Sequence, residues 1–499
     1  MQLTIRNFGP IYEIKFDIRK DLNVLFGKNN IGKSYAIICY YLILKNLSFS
    51  NASNPFELTY FYIKNYVSFE SEQMPYSIDK IKGEFQKIDK KLKSNYFSKK
   101  KKDYKINNHV KELLKVALEE SFLVNLQKSF SSSFDSLESL TNNFTSEKFE
   151  IKIESDKFNF KFSPSEKFDR LQITSIDLKE DYYLRKIKTN RDTYEVDNEL
   201  YIYYNNKKNL KREQQEILYR PMMNIFNSFL LEINQNISNI YFLPASRSGL
   251  YQALSTFSAI VAELSKSRKF LSEKIELPNI SDPVSDYFLY LSNIKKGIND
   301  SKFADVGLEF EKEILNGEIS VNEESNKIVF KPNSINSELD LSYTSSMVSE
   351  IAPIVAFLKY IINDETSGSR HIISRWYIRS RSKGLKDARN LIFIEEPEAH
   401  LHPEVQTKLM ELFSKLINSN VKIVMTTHSN YIFNKLSNLI LGNKIDVSKV
   451  DSNLLKLGEK GSFVDKKCMQ VDDYGIVDDN FVDISEKLFI EREEYLKDK

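Results

Sequence analysis

The chain has 499 residues, 41% of them hydrophobic and 12% aromatic, so it can bury a large core and is expected to divide into two or three domains. Its 71 lysines and arginines nearly balance 69 aspartates and glutamates, which excludes a uniformly basic protein and leaves only local basic surfaces open. The two cysteines, Cys39 and Cys468, support no disulfide framework and favour a reducing compartment, hence a cytoplasmic location.

No membrane anchor or targeting signal is expected from the sequence. The longest apolar run, "AIICYYLIL" at 36–44, is too short to span a bilayer. The opening "MQLTIRNFGP" lacks a basic segment followed by an apolar one.

Two strands joined by a turn are predicted at 2–18, because apolar residues alternate on both sides of "NFGP". The run "LNVLF" at 22–26 is typical of a strand buried on both faces. The segment after residue 32 has the apolar content of a buried helix. The sequence therefore predicts a strand, a loop and a helix in succession.

The loop between that strand and helix reads "GKNNIGKS" and matches G-x-x-x-x-G-K-[ST]. In this pattern the glycine amides wrap phosphate oxygens, the lysine reaches the β- and γ-phosphates, and the serine holds magnesium. Gly27, Gly32, Lys33 and Ser34 supply those groups here. We therefore predict a site for ATP and Mg²⁺.

A change of composition from about 45 to 235 indicates an insertion rich in lysine, asparagine, serine and aromatic residues. The alternating stretch at 148–163 predicts a hairpin. The run Lys99 to Lys102 is interpreted as a solvated loop in preference to a nucleic-acid contact. The core resumes at "SNIYFLPASRSG", 238–249, which predicts a strand followed by a polar turn that holds Arg247.

A pair of carboxylates follows the predicted strand at 391–394 in "LIFIEEPEAHLHP". Open α/β sheets bind ligands at the carboxyl ends of their strands, where Glu395 and Glu396 would stand. We predict that Glu395 completes the magnesium site and that Glu396 orients or deprotonates the attacking water. An exposed acidic turn is the alternative interpretation.

Pro403 is predicted to open an amphipathic helix, and "VKIVMTTHSN" at 421–430 to form a further buried strand. This order places His428 beside the glutamates, where it can contact the γ-phosphate or the attacking water. Zinc is the rival ligand, since His400 and His402 lie nearby, but no cysteine or third spaced ligand accompanies them.

Together, "GKNNIGKS", "LIFIEEPEAHLHP" and "TTHSN" resemble the ABC-type ATPases of the overcoming-lysogenization-defect (OLD) branch, which includes ATPase subunits of bacterial antiphage systems such as PARIS and Septu. The resemblance covers about 1–45 and 238–440. It implies an α/β ABC-type P-loop head with a mixed, largely parallel sheet, in which two heads sandwich ATP. It also implies a metal ligand at Glu395, a catalytic base at Glu396 and a switch histidine at His428. For the phosphates and magnesium it implies Gly27, Lys28, Asn29, Asn30, Gly32, Lys33 and Ser34.

The signature loop is where the sequence departs from this family. ABC ATPases generally carry Ser-Gly-Gly-Gln before a helix, and the corresponding stretch here is "YTSSMVSEIAPIVAFLKYII" at 343–362. Ser346 is the candidate for contact with the nucleotide of a second head, although Met347 replaces a glycine. Pro353 is easiest to accommodate if the helix begins near Ser349. Serines that merely cap a core helix are the alternative, and Arg247 is a further candidate near the nucleotide.

The predicted organisation is an ABC-type head formed by 1–45 and 238–440, a large α+β insertion at 46–237 for partner binding or dimerisation, and a C-terminal completion at 441–499. About 70 residues follow His428, too few for the TOPRIM nuclease that some OLD-type ATPases carry. The resemblance implies a homodimer or larger homo-oligomer, and the missing nuclease predicts that it controls a nuclease or toxin in trans. DNA or a phage protein are further partners that this hypothesis allows.

Three other classes compete with a defence ATPase. A DNA-repair or chromosome-associated ATPase of the SMC type would need a long heptad coiled coil, which 46–237 does not show. A transporter subunit would need a membrane partner and a standard signature. A nucleotide-gated scaffold would bind ATP with little hydrolysis.

Overall fold

The computed structural model describes residues 1–48, 103–186, 193–196, 199–204, 219–254, 280–294, 302–322, 327–362, 389–465, 469–472, 475–478 and 482–497, with single residues at 83, 87, 88 and 90. The lysine run at 99–102 and Cys468 lie outside these residues, and Cys39 is a buried free thiol. Among the described helices none is long and apolar enough to cross a bilayer.

The strands are numbered in chain order: β1 (Gln2–Phe8), β2 (Ile11–Asp17), β3 (Leu22–Phe26), β4 (Asp103–Lys105), β5 (Glu150–Glu154), β6 (Phe158–Pro164), β7 (Leu171–Leu178), β8 (Asp181–Lys186), β9 (Thr193–Val196), β10 (Glu199–Tyr204), β11 (Ile237–Leu243), β12 (Gly317–Val321), β13 (Ile328–Pro332), β14 (Leu339–Asp340), β15 (Arg389–Glu395), β16 (Val421–Thr427), β17 (Val450–Gly458), β18 (Gly461–Val464), β19 (Met469–Asp472) and β20 (Gly475–Asp478).

The α-helices are α1 (Lys33–Leu47), α2 (Asn107–Ala117), α3 (Val124–Phe134), α4 (Tyr219–Asn236), α5 (Asp282–Ser292), α6 (Lys302–Phe310), α7 (Ser346–Ala356), α8 (Pro403–Asn418), α9 (Asn430–Leu441) and α10 (Val482–Lys497). Wider π-helical turns occupy Leu118–Leu123, Glu311–Leu315 and Phe357–Ile361, and 3₁₀ turns occupy Leu341–Tyr343 and Val447–Lys449.

The chain divides into two compact units. The first draws its described residues from 1–18 and 42–238, and the second from 19–41, 239–362 and 389–497. The opening hairpin thus groups with the inserted residues, because β1 pairs along its length with β5. The predicted domain boundaries at 45, 237 and 440 remain predictions.

The first unit contains the antiparallel strand order β2-β1-β5-β6-β7. The predicted hairpin at 148–163 is therefore confirmed as β5 and β6. The apolar residues of this hairpin alternate with polar or charged ones. In the same unit a cluster of rings packs Phe8 against Phe130, Phe134 and Phe149 at centroid distances of 5.2–5.6 Å. The unit thus combines helices with mainly antiparallel strands.

The polar face of this antiparallel sheet carries matched charges. Arg6 Nε lies 3.0 Å from Glu13, and Lys161 Nζ lies 3.0 Å from Glu150. Lys152 pairs with Glu154 at 2.7 Å. Exposed pairs of this kind contribute little stability, but they cancel the local charge.

The second unit contains the strand order β11-β15-β16-β3-β17-β18. Strands β15, β16, β3 and β17 run parallel, and β18 is antiparallel to β17. The predicted fold class, α/β with a mixed, largely parallel sheet, is confirmed. All five residues of β3 are buried, as the run "LNVLF" predicted, and Phe26 packs edge-on against Phe433 of α9 at 5.4 Å.

The parallel register brings three strand ends to the same edge of the sheet. Thr427 lies opposite Phe26, and Glu395 lies opposite Thr426. The residues that follow β3, β15 and β16 must therefore meet.

Candidate functional site

The loop after β3 has the backbone conformation that the glycine pattern predicts. Gly27, Asn30 and Gly32 have φ values of 149°, 62° and 91°, in the region that disfavours most side chains. A Cβ atom on Gly27 would lie 2.3 Å from the Ile31 side chain and 2.9 Å from the Leu455 carbonyl oxygen. Glycine is therefore required at position 27 for steric reasons as well as conformational ones.

Lys33 is the first residue of α1, and its ammonium group turns back onto this loop. Nζ donates to the carbonyl oxygens of Gly27 at 2.9 Å and Lys28 at 2.8 Å. Burial lowers the pKa of Lys33, whereas the negative charges of Glu396 and Glu398 raise it. The cation thus lies between the phosphate loop and the acidic strand end.

Ser34 and Glu395 meet directly. The Ser34 hydroxyl and the backbone N–H of Ala245 donate to the Glu395 carboxylate. Burial raises the pKa of Glu395 to about 7, a shift that these hydrogen bonds oppose and the charge of Glu396 increases. A hydroxyl and a carboxylate in contact supply the hard oxygen ligands that Mg²⁺ prefers, so the residues present fit this ion.

Glu396 has φ 40°, which is a strained conformation for a residue other than glycine. Its backbone N–H donates to the carbonyl oxygen of Thr426 at 3.1 Å, and its own carbonyl oxygen accepts from Ala399 at 3.1 Å. These contacts hold the strain at the end of β15. The side chain remains about one-third exposed, so it is open to a substrate.

His428 lies at the end of β16, where the sequence predicted it, and its Nδ1 is 4.0 Å from Glu396. A third carboxylate holds this histidine. Glu398 Oε1 accepts from the His428 backbone N–H at 2.8 Å and from the Thr427 hydroxyl at 2.6 Å, and it lies 3.3 Å from His428 Nδ1. Glu398 is buried, so it contacts His428 from inside the protein.

Sequence reasoning missed Glu398, although it is the third acid of "EEPE". Gln406 was missed as well. Its side chain accepts from the Ser429 hydroxyl, which caps α9, and donates to the carbonyl oxygen of Leu401 at 2.8 Å. These two residues tie the loop after β15 to the end of β16.

The histidines of the zinc alternative are not gathered around a common point. His402 caps α8, its Nδ1 accepting from the Glu404 backbone N–H at 3.4 Å, and His400 is exposed with φ 59°. Within the described ranges, no three histidine, cysteine, aspartate or glutamate side chains form a metal-binding group.

The signature-like stretch begins its helix earlier than predicted. Ser345 caps α7, whose first residue is Ser346, so the expected start near Ser349 was wrong. Pro353 is accommodated inside the helix because its neighbours Ile351, Ala352, Ile354 and Val355 are buried, and their packing outweighs the lost backbone hydrogen bond. Met347 packs against the core, and Ser346 is exposed.

Arg247 does not lie in an open turn, since it begins a helical segment and is fully buried. Its guanidinium donates to the carbonyl oxygens of Pro244, Glu395, Glu396 and Glu350. The guanidinium therefore donates to backbone carbonyl oxygens, including those of Glu395 and Glu396.

The phosphate loop, the Ser34–Glu395 contact and His428 thus share one sheet edge. A family model described as "AAA ATPase domain" matches residues 1–433. The chain belongs to the AAA ATPase domain family. Its membership agrees with the predicted P-loop ATPase and with nucleotide binding. The chain has no match among curated proteins.

Three solved structures are similar to this AAA ATPase domain protein. An SMC head bound to the C-terminal winged-helix domain of ScpA has 10% identity and a TM-score of 0.34, covering 93% of this chain and 96% of that one. The SMC head domain of Thermotoga maritima has 8% identity and a TM-score of 0.32, covering 93% and 97%. An Smc head with an extended coiled coil, bound to the ScpA C-terminal domain and derived from Pyrococcus furiosus, has 9% identity and a TM-score of 0.32, covering 99% and 98%. At these TM-scores, the likenesses assign neither activity nor partner.

Proposed function

We propose that this AAA ATPase domain protein is the ATP-hydrolysing subunit of a bacterial antiphage defence complex, which dimerises through ATP and controls a nuclease or toxin supplied in trans. The contact between Ser34 and Glu395 carries the ATPase proposal, because it joins the phosphate loop to the acidic strand end. The defence role is supported by the resemblance of the three motifs to the OLD branch.

Ser34 and Glu395 would hold Mg²⁺, which would offset the negative charge of the terminal phosphates. Lys33 is placed to exchange its loop carbonyls for β- and γ-phosphate oxygens. Asn29, Asn30 and the loop amides would surround the same phosphates.

Glu396 would accept the proton of the water whose oxygen attacks the γ-phosphorus, while the bond from that phosphorus to the β-phosphate oxygen breaks. His428 would donate a hydrogen bond to the γ-phosphate or to the water, and Glu398 keeps its ring in place. Glu396 and His428 are therefore the proposed catalytic residues.

Dimerisation would bring the exposed start of α7 to the nucleotide of a second copy. Ser346 is exposed at the amino end of an 11-residue helix, where backbone N–H groups favour an anion. The core contact of Met347 keeps this end folded without the usual glycine.

The test uses the purified chain, alone and with the product of its neighbouring gene. Phosphate release and cleavage of DNA and RNA are measured with ATP, with ADP and without nucleotide. We expect phosphate release from the chain and effector activity only with the second protein. A tenfold preference of that protein for one nucleotide state corresponds to about 1.4 kcal/mol.

Two outcomes would contradict the proposal. Robust nucleic-acid cleavage by the isolated chain, lost in Glu395→Ala, would overturn the effector in trans. ATP binding without phosphate release by the assembled complex would support the nucleotide-gated scaffold instead.

A further inference from the structure

A buried arginine connects three segments of the second unit. Arg247 is 0% exposed, and its Nη1 donates to the carbonyl oxygens of Pro244 at 3.2 Å and Glu395 at 2.9 Å. Its Nη2 donates to the carbonyl oxygen of Glu396 at 3.4 Å, and its Nε to that of Glu350 at 3.1 Å. One rigid side chain thus contacts the ends of β11 and β15 and the helix α7.

Glu350 supplies the matching negative charge from α7. Its Oε2 lies 3.2 Å from Arg247 Nη2, and neither side chain is exposed. Its Oε1 accepts from the Ser248 hydroxyl at 2.6 Å. Glu350 stands four residues after Ser346, on the next turn of the same helix, so the ion pair holds α7 close to its exposed end.

Stability alone does not explain this arrangement. Removing two charges from water costs several kcal/mol per ion, and an apolar pair of similar volume is often as stable. A planar guanidinium with donors in several directions does what an apolar pair cannot, because it fixes the relative positions of several carbonyl groups. The carbonyls fixed here belong to Glu395 and Glu396.

We propose that Arg247 and Glu350 are positioning residues for hydrolysis, which fix the Ser346 end of α7 to the backbone of Glu395 and Glu396. Engagement of Ser346 by the nucleotide of a second copy then changes the orientation of the two carboxylates in the first. This inference rests on the proposed ATPase function and deepens it. Neither positioning residue touches the substrate.

The test begins with Glu350→Gln, which keeps the shape and the acceptor for Ser248 but removes the charge that faces Arg247. We expect kcat to fall at least tenfold, with the dissociation constant for ATP within twofold of wild type, because the loop 27–34 is untouched. Arg247→Lys keeps the charge but loses the planar fork, and we expect the same pattern from it.

The chain offers a matched control in the pair Glu311 and Lys359, whose side chains are also buried and lie 2.7 Å apart. Lys359 donates to the carbonyl oxygen of Ile319, at 2.8 Å. Glu311→Gln should lower the thermal midpoint while leaving kcat within twofold. If Glu311→Gln and Glu350→Gln reduce kcat equally, the positioning role is wrong and the loss reflects stability alone.

A double-mutant cycle tests the connection to Ser346. Ser346→Ala should lower kcat in the wild-type background and have a much smaller effect in the Glu350→Gln background. Additive effects, or no effect of Ser346→Ala on its own, would overturn the coupling. Failure of the proposed ATPase function is separately visible, because it would appear as wild-type ATP affinity in Lys33→Ala or as no phosphate release by the wild-type chain.

Discussion

The buried carboxylate of Glu395 should make the nucleotide-free protein less stable as the pH rises. Burial raises its pKa from the usual 4.5 to about 7, so the folded state retains a proton that the unfolded state releases. The contribution of Glu395 to the unfolding free energy is therefore full below about pH 4.5 and is lost as the pH rises through 7. Glu395→Gln removes this proton while keeping a side chain of the same shape.

The size of the effect follows from the two pKa values. Between pH 5 and pH 8 the ionisation of Glu395 should remove about 2 to 3 kcal/mol of unfolding free energy from the wild type. The stability of Glu395→Gln relative to wild type should rise by that amount over the same interval. Other titrating groups are common to both proteins and cancel in the difference.

The assay is urea unfolding at pH 5, 6, 7 and 8 in EDTA and without nucleotide. Glu404→Gln is the control for the substitution itself, since this carboxylate is 69% exposed on α8. A difference between Glu395→Gln and wild type that stays constant from pH 5 to pH 8 would refute the raised pKa. Added Mg²⁺ with ATP should stabilise the wild type more than Glu395→Gln, because the bound cation favours the ionised carboxylate.

Three further predictions concern the reaction. Lys33→Ala should abolish ATP binding, measured by calorimetry, because the cation that reaches the phosphates is lost. Unchanged ATP affinity in this variant would contradict the phosphate-loop assignment. Glu396→Gln should bind ATP, release phosphate far more slowly and accumulate the dimer in size-exclusion chromatography, whereas wild-type turnover would mean that another group activates the water. Glu398→Gln should lower kcat about 10- to 100-fold with ATP affinity retained, because His428 loses a charged partner; a normal kcat would leave Glu398 a purely structural role.

Local sequence patterns predicted the elements that hold the site. The apolar run before Gly27 and the one before Glu395 became buried strands on either side of β16, and the glycine spacing predicted the loop between β3 and α1. Each of these features depends on neighbouring residues, so a single sequence contains the information.

The supporting contacts could not be predicted, because their partners are far apart in the chain. Glu398 contacts a hydroxyl 29 residues away, and Glu350 contacts a serine 102 residues away. The start of α7 was predicted wrongly for a related reason. Tertiary packing around Pro353 outweighed the tendency of proline to lie in the first turn of a helix. A charged residue within an apolar helix, such as Glu350, was the available signal for the buried ion pair.

In the proposed ATPase, the hydrogen bonds from Lys33 to Gly27 and Lys28 would make the loop sensitive to the number of phosphates on its ligand. A ligand must replace both carbonyl acceptors before it gains a net interaction with the ammonium group, so binding is an exchange of partners. A nucleoside monophosphate lacks the β- and γ-oxygens that Lys33 reaches in this motif, so it cannot complete the exchange. Discrimination against monophosphates would then arise from this exchange of partners, without any group that excludes them by size.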